Sequence, residues 1–440
     1  MSTLIIGNSF NDYLVGDLGR FDPLERRIGG NISLRLAWLA EPGDVVVLPQ
    51  EPDRAFVDYM MGLKGVPADS VTIAVPPAGS FGTDVITSDR LTDDAFRRHL
   101  SGLVSTNGVD QVVPYVFDST IATLCRDWGL AETCPAFPFL AGGGADMLNS
   151  KSVFRALSLG VGAPVPEGLV TDSPSRAAAF VGALLADGGS VIVKQDFHQG
   201  GHGNEILTSD AATTQIGAIS MITLGSDDLG GVEALLRRRW PAYSNDGTAK
   251  VVLERYLPNS VPIGAEVEIG ERAITVRHTG EMRMTPIFDG VVLPGLEMTT
   301  AQCDLFRSAV LALCVAVQAI GYRGLINIDG IIDGGGRVLL TEYNGRLGGT
   351  THLHWLGVSL VGPDYAERAV FVSNNDWKVP SFGAAMDVLE SSGLAYDRDK
   401  RSGVVITCDH TALSGAVEYC VIGNDHADAH AVEKELKGLL

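Results

Sequence analysis

Hydrophobic and polar positions along the first third of the chain alternate between short Val- and Ile-rich runs and longer stretches of helical period. Thr3–Ile6, Val45–Leu48, Val71–Val75 and Gln111–Val116 are predicted strands, with helices expected over Leu91–Leu103 and Thr120–Gly129. Short apolar strands separated by helices are the pattern of an open parallel sheet covered by helices. The run Gly142-Gly143-Gly144 marks the end of this unit. Next, Asn149 or Ser150 caps a helix over Lys151–Leu159, which Gly160 stops ahead of Pro164 and Pro166. The pattern then predicts a helix over Ser175–Asp187, strands Ser190–Lys194 and Asn204–Thr208 around a glycine-rich loop, and a long helical stretch through Trp240. Strands Val251–Leu257, Ala265–Ile269 and Ala273–Thr279 follow. Thr299-Thr300-Ala301-Gln302 is a capping box opening a buried helix that runs to Ile320 and closes at Gly321.

That helix delivers the chain into LINIDGIIDGGGRVLLTEYNGRLGG, Leu325–Gly349. Two strand-like runs, Leu325–Ile332 and Val338–Tyr343, flank the turn Asp333-Gly334-Gly335-Gly336. Strand side chains alternate faces, so Asn327 and Asp329 share one face of the first run, and Glu342, Asn344 and Arg346 one face of the second. A hairpin with Ile332 opposite Arg337 sets Asp329 opposite Leu340 and diagonal to Glu342, about 7–8 Å apart at the backbone. After Gly348-Gly349-Thr350-Thr351 the pattern predicts an amphipathic helix of about 20 residues. Past Trp377 a compact tail is expected, with strands Gly403–Cys408 and Gly415–Ile422 and a final helix Ala427–Leu439.

Composition narrows the class. The 440 residues exceed one ordinary core; 45% are hydrophobic and 20% charged, which is globular composition. A formal net charge of −20 argues against nucleic acid or an anionic membrane as partner. No apolar run is expected to reach the roughly 20 residues of a membrane span, and MSTLIIGNSF lacks a basic leader before an apolar core, so no signal peptide is expected. Cys125, Cys134, Cys303, Cys314, Cys408 and Cys420 show no CxxC spacing and are expected reduced, in a cytoplasmic protein.

The chemistry concentrates in three segments. In the hairpin, two carboxylates and an amide oxygen are hard ligands suited to Mg2+, with Arg346 ready to neutralise an anion beside it; the alternative is a surface hairpin with solvated charges. In VIVKQDFHQGGHGNEIL, Val191–Leu207, Lys194 ends a strand and Gln199–Asn204 forms a loop whose glycines bring backbone N–H groups close to phosphates; the alternative is an ordinary hairpin tip. In VVLERYLP, Val251–Pro258, the backbone of Glu254-Arg255-Tyr256-Leu257 is able to present N–H and C=O groups to an adenine edge, or is simply a strand ending at a proline. There is no G-x-x-x-x-G-K-[ST], G-x-G-x-x-G or G-x-S-x-G motif. Thr350 and Thr351 open a helix and are candidate carboxylate or phosphate contacts. His352 and His354 suit a substrate pocket or packing, and His198 and His202 sit on the mobile loop. Arg283 is the weaker of two strand arginines after Leu257, Arg277 the stronger.

Taken in order, these segments resemble the ATP-grasp superfamily over residues 147–378. The resemblance implies that Lys151, in NSKSVFRALSLGVGAPVPEG, and Lys194 hold phosphates. It further implies that Gln199, Gly200, Gly201, His202 and Gly203 form the loop over them, and that Glu254, Arg255, Tyr256 and Leu257 bind adenine. Asp329, Glu342 and Asn344 would ligate Mg2+, and Arg346, with backbone near Gly348 and Gly349, would steady an acyl phosphate and oxyanion. Where an acidic ribose ligand is common, this chain has Val261; Glu266 or Glu268 is the implied replacement, and Arg277 an extra triphosphate contact. Implied domains are a pre-ATP-grasp domain (1–146), an ATP-grasp domain (147–378, with lobes 147–257 and 258–378) and a small α/β C-terminal domain (379–440).

The implied activity is ATP-dependent carboxylate–amine ligation with Mg2+, or Mn2+ as substitute. GNSFNDYLVGDLG, RLGGTTHLHWLG and the tail are similar to pheganomycin-type peptide ligases. That similarity implies a nonproteinogenic, guanidino-bearing amino-acid donor, a peptide amine acceptor and a role in antibiotic biosynthesis. A homodimer is the expected assembly only because dimers are common; the sequence carries no interface signature. A phosphotransferase, a ligase making a dipeptide and a non-catalytic nucleotide-binding scaffold are the alternatives.

Overall fold

A computed structural model describes residues 2–225, 228–296 and 298–439. The expected parallel sheet is present: β1 (Ser2–Ile6), β2 (Val45–Val47), β3 (Thr72–Ala74) and β4 (Val109–Pro114) lie in the order β3-β2-β1-β4, all parallel. Leu4, Ile6, Val45 and Val47 on one face pack against Phe96, Leu100 and Ile121 of the covering helices. Ile5 and Val46, on the other face, belong to a core that runs on into the tail.

The small lobe is a five-stranded sheet of β5 (Gly168–Thr171), β6 (Ser190–Gln195), β7 (Asn204–Thr208), β8 (Ser220–Thr223) and β9 (Val251–Tyr256), ordered β5-β9-β6-β7-β8. The predicted long helix through Trp240 begins only at Leu229, behind the Asp228 cap, and β8 occupies part of the interval before it. Helices Pro174–Ala186 and Leu229–Tyr243 bury Val181, Leu185, Val232 and Leu236 against Val191 and Leu253.

The large lobe is an antiparallel sheet of eight strands. They are β10 (Val261–Ile269), β11 (Ile274–Met284), β12 (Phe288–Leu293), β13 (Gly324–Ile332), β14 (Val338–Asn344), β15 (Val370–Lys378), β16 (Gly403–Asp409) and β17 (Ala416–Gly423), in the order β14-β13-β10-β11-β12-β15-β17-β16. The tail strands β16 and β17 therefore extend the same sheet, through β15. Helix Thr300–Ala319 opens on the expected capping box and packs Phe306, Val310, Leu313 and Cys314 onto this sheet. Its 20 residues are long and apolar enough to meet a membrane-span criterion, contrary to the expectation of no such run; it carries Asp304 and Arg307 and serves as a sheet-covering helix.

One prediction fails in length. The helix after Gly349 covers only Thr351–Leu360. Gly362, with φ +128°, and Pro363 end it; Tyr365–Arg368 then form a separate short helix, and β15 begins at Val370. All six cysteines are free; Cys420 stands opposite Val405 and Cys408 opposite Glu418, so the two are not paired across the tail hairpin.

Candidate active site

The hairpin β13–β14 carries the acidic corner, and its register is tighter than predicted. A bulge between Asp329 and Gly330 sets Asp329 directly opposite Glu342 and Asn327 opposite Asn344. The expected diagonal, with Asp329 facing Leu340, is thus replaced by a direct pair, whose Cβ atoms lie about 4.5–5.5 Å apart in such ladders. Burial, and then the Glu342 charge, push the Asp329 carboxyl well above its ordinary range. Burial also acts to raise Glu342, but Lys151 and Lys194 beside it prevail and hold it low. Two carboxyls so arranged share a proton until a cation neutralises both. With the Asn344 amide oxygen they form a hard oxygen set that fits a divalent cation such as Mg2+. Gly264, opposite Asp329 on β10, keeps the space above open; a side chain there would begin 3.6 Å from Asp329 Oδ1.

Both lysines are positioned by buried acids. Ser150 caps the helix Lys151–Gly160, and Asp196 ties its start down by accepting from Ser150 Oγ (3.0 Å) and Ser152 N (2.7 Å). Lys151 Nζ then lies 3.4 Å from Glu342 Oε2 and donates to the His198 carbonyl (2.7 Å). Lys194 Nζ is 2.7 Å from Glu254 Oε2, and Arg155 Nη1 lies 2.8 Å from Glu254 Oε1. Glu254 is therefore a buried brace for Lys194, not a side-chain contact to a base; it is 1% exposed. Arg255 pairs outward with Glu167 (2.9 Å), and the Tyr256 hydroxyl donates to the Thr214 carbonyl (2.7 Å). All four residues of the predicted adenine segment, 254 to 257, line the cavity; the side chains of 254, 255 and 256 are engaged within the lobe, which leaves the backbone as the part offered to a base.

A cavity of about 320 Å³ opens between the two lobes. At one end its lining is apolar: Pro166, Ile192 and Leu257 from the small-lobe side, Pro262, Met282 and Ile331 from the large sheet. At the centre lie Lys194, Asp329, Glu342 and Asn344. The loop Gln199–Gly203 crosses above, with Gly200 at φ +65° and Gly201 at φ +87°, and the Gly200 carbonyl accepts from Phe288 N of the large lobe (3.4 Å). Gln199, Gly200, Gly201 and His202 line the cavity; Gly203 sits at the loop base, its carbonyl taking the Gln195 N–H (3.1 Å). Burial, then Lys151, lowers His198 to about 4, so its imidazole is neutral.

Arg346 stands at the far end. Its Nη2 donates to Asn344 Oδ1 (3.0 Å), its Nη1 to the Leu347 carbonyl (2.8 Å), and its guanidinium lies 5.4 Å from the Tyr115 ring centroid. Arg346 Nε is buried without a hydrogen-bond partner among the described residues. Two expectations at this end are corrected. Gly348, Gly349 and Thr350 all line the cavity, but the Gly348 N–H donates to Thr351 Oγ1 (2.7 Å), so it is not free for an oxyanion. Glu266 and Arg277 lie beneath the cavity wall: Glu266 is fully buried, accepts from the Thr351 hydroxyl and sits 3.5 Å from Arg277, which stacks 4.7 Å over Trp355. Neither is among the residues lining the cavity, and Glu268 pairs with Arg277 (3.1 Å) at the surface. Arg283 pairs with Glu433 (2.5 Å). His354 Nδ1 contacts the Tyr365 hydroxyl (3.1 Å), and burial lowers His352 to about 3; both are packing residues.

The residues missed by sequence reasoning are Arg155, Asp196, Tyr115 and Arg35. Arg35 lines the cavity from the N-terminal region. A lone arginine inside the apolar run NISLRLAWLA was the available signal, since a buried charge implies a dedicated partner.

Comparison with known proteins agrees with this architecture. Residues 33–130 match the Pre ATP-grasp domain family, and residues 384–436 match the PGM1 C-terminal domain family. No curated protein matches the chain. Among solved structures, the N5-carboxyaminoimidazole ribonucleotide synthetase of Thermus thermophilus is 12% identical, with 100% of this chain and 98% of that one covered and a TM-score of 0.59. The biotin carboxylase of Campylobacter jejuni is 13% identical over 99% and 90%, with a TM-score of 0.59. The biotin carboxylase domain of Hydrogenobacter thermophilus 2-oxoglutarate carboxylase, in complex with the magnesium salt of ADP, is 12% identical over 96% and 86%, with a TM-score of 0.55. At these identities the likeness establishes the fold alone: a parallel sheet in the region of the Pre ATP-grasp match, a two-lobed central unit and a C-terminal segment joined to its larger sheet.

Proposed function

We propose that this protein is an ATP-dependent carboxylate–amine ligase. The observation that carries the reading is the direct Asp329–Glu342 pair on β13–β14, with Lys151 and Lys194 on one side and Arg346 on the other. The Mg·ADP bound to the Hydrogenobacter structure supports ATP as the nucleotide. The apolar end of the cavity receives the base. Lys151, Lys194 and the N–H groups of Gly200 and Gly201 hold the phosphates, and the loop excludes water from them. Asp329, Glu342 and Asn344 would hold Mg2+, or Mn2+ in its place, which supplies charge neutralisation on the phosphates.

An oxygen of the substrate carboxylate attacks the γ-phosphorus and ADP leaves. The amine attacks the acyl phosphate carbon, phosphate leaves, and the proton lost by nitrogen passes to that phosphate. Arg346, fixed by Asn344 and the Leu347 carbonyl, neutralises the acyl phosphate through its free Nε–H. The finer reading is a peptide ligase that joins an amino-acid-like carboxylate to the N-terminal amine of a peptide in natural-product biosynthesis. It rests on the similarity to pheganomycin-type ligases in GNSFNDYLVGDLG, RLGGTTHLHWLG and the tail. A guanidino-bearing donor gains no support from the cavity: among the described lining residues, the acids are Glu254, braced by two cations, and the corner pair Asp329 and Glu342.

The test is an ADP-release screen over amino-acid donors and peptide acceptors, with mass spectrometry of products. ADP release that requires both acid and amine, with a product weighing their sum less one water, is expected. ADP with a phosphorylated product and no amide would establish a phosphotransferase instead.

A further inference from the structure

Arg35 is a buried cation that the ligase mechanism leaves unused. It sits at 6% exposure on a helical segment of the N-terminal region, Ile32–Leu39, and reaches two other parts of the chain. Its Nε and Nη2 donate to Glu418 Oε2 and Oε1 of β17, both at 2.6 Å. Its Nη1 donates to the Gly349 carbonyl (3.1 Å). Glu418 is itself fixed: His410 Nε2 lies 2.8 Å from Oε1, and Asn31 Nδ2 lies 3.0 Å from His410 Nδ1, an arrangement that leaves Nε2 as the protonated nitrogen. Cys408, His410 and Glu418 lie close enough to suggest a metal site. The Arg35 guanidinium already occupies both Glu418 oxygens, so the cluster instead holds an arginine.

A guanidinium has five N–H groups. Glu418 and Gly349 take three of Arg35's, and the remaining two belong to a group that lines the cavity beside Arg346 and Tyr115. The charge of that compartment is unusual for this chain. In a protein of net charge −20, the acyl end is lined by two arginines, amides from Asn327, Asn344 and Asn375, and the His278 imidazole. Its acids, among the described residues, are confined to the Asp329–Glu342 corner. A planar fork held rigid by a buried carboxylate, with donors left over in a cationic compartment, matches one ligand chemistry best: a carboxylate.

We propose that Arg35 forms a carboxylate-binding subsite, and that one of the two substrates carries an anionic carboxylate separate from the one that is activated. This rests on the ligase reading of the neighbouring corner. Glu418 is then a positioning residue, and β17 of the tail becomes part of substrate recognition.

The test is calorimetric titration of the protein, saturated with Mg2+ and ADP, using the straight-chain dicarboxylates from succinate to suberate and their half-amides. At least one dicarboxylate is expected to bind about tenfold or more tightly than its half-amide, as a charge-assisted hydrogen-bond pair should. Arg35→Lys, which keeps the charge and loses the fork, should cut that preference. The double variant Arg35→Met/Glu418→Leu, which strands no buried charge, should erase it. Absence of any preference in the wild type, or an undiminished preference in both variants, overturns the proposal. Mg·ADP affinity is read on the same samples. If the wild type does not bind Mg·ADP, the ligase reading fails, and repeating the titration without nucleotide judges the subsite by itself.

Discussion

Glu254 offers the sharpest separation between two accounts of this site. One gives it to the base as part of the adenine segment; the geometry makes it the common anion of Lys194 and Arg155, at 2.7 and 2.8 Å and 1% exposure. The substitution Glu254→Gln keeps the shape and removes the charge. Each pair is worth about 6 kcal/mol in Coulomb energy at an effective dielectric near 20, largely offset by desolvation when both partners are present. Removing only the anion strands two buried cations, for which the net cost is about 3–5 kcal/mol. Lys194 then relaxes from its place beside Glu342, and a displacement of about 1 Å at a phosphate ligand costs about 100-fold in turnover. Urea denaturation followed by hydrogen exchange in β6 and β9 isolates the small lobe, and ADP release measures turnover. The expected result is a small lobe destabilised by at least about 3 kcal/mol together with a fall in kcat. The double variant Arg155→Met/Glu254→Gln, with one stranded cation fewer, should recover part of the stability. Wild-type stability in Glu254→Gln, with only the ATP KM raised, would refute the brace and return Glu254 to the base.

Three further outcomes follow from the same structure. Glu342→Ala should abolish ADP formation while leaving the fold intact by circular dichroism; wild-type turnover of that variant in metal-depleted buffer would remove Glu342 from the cation site. Gly348→Ala places a Cβ 2.5 Å from Asn327 Nδ2, so it should displace the face shared with Asp329 and lower kcat, and a fully active variant would show that the Asn327 side chain yields freely. His278 is held neutral by burial and then by Arg277, with its pKa lowered from 6.5 to about 4. Between those values the unfolded chain binds the extra proton, so this stability is complete above pH 6.5 and falls as pH drops toward 4. His278→Phe should flatten that slope in urea titrations at about pH 7 and 5, and an unchanged slope would assign it to other groups.

Elements with a strong local code were readable. The capping box at Thr299 and Gln302, the Ser150 cap and the β6–β7 strand pair all form where local pattern placed them, because each depends on neighbours within a few residues. The shortfalls have non-local causes. β15 contains Asn374, Asn375 and Asp376, poor strand formers at a register irregularity, and it is held as a strand by β12 at Phe371 and Val372 and by β17 on either side of that irregularity. β12 likewise gains its place from β11 and β15, and no periodicity within six residues announces that.

The site was legible to the degree that its chemistry lay on one hairpin. Asp329, Glu342, Asn344 and Arg346 share a face by strand alternation alone, and only the bulge was beyond reach; it falls at Gly330, where a Cβ would lie 2.8 Å from the Leu339 carbonyl. Lys194 was found by its place at a strand end, but its brace was not. Glu254 lies on the strand beside β6, so its pairing with Lys194 is a register fact between segments far apart in sequence. The same limit explains Glu266 and Arg277. Their alternation on β10 and β11 allowed a cavity role, and the extra residue at the bulge between Glu266 and Val267 turns Arg277 onto Glu266, under Trp355. A charged residue on a strand can thus be read as facing a ligand or facing another strand's charge with equal economy until register is known. Arg35 is the converse case: its apolar sequence context demanded a partner, and the partner, Glu418, stood 383 residues away in the last hairpin of the sheet.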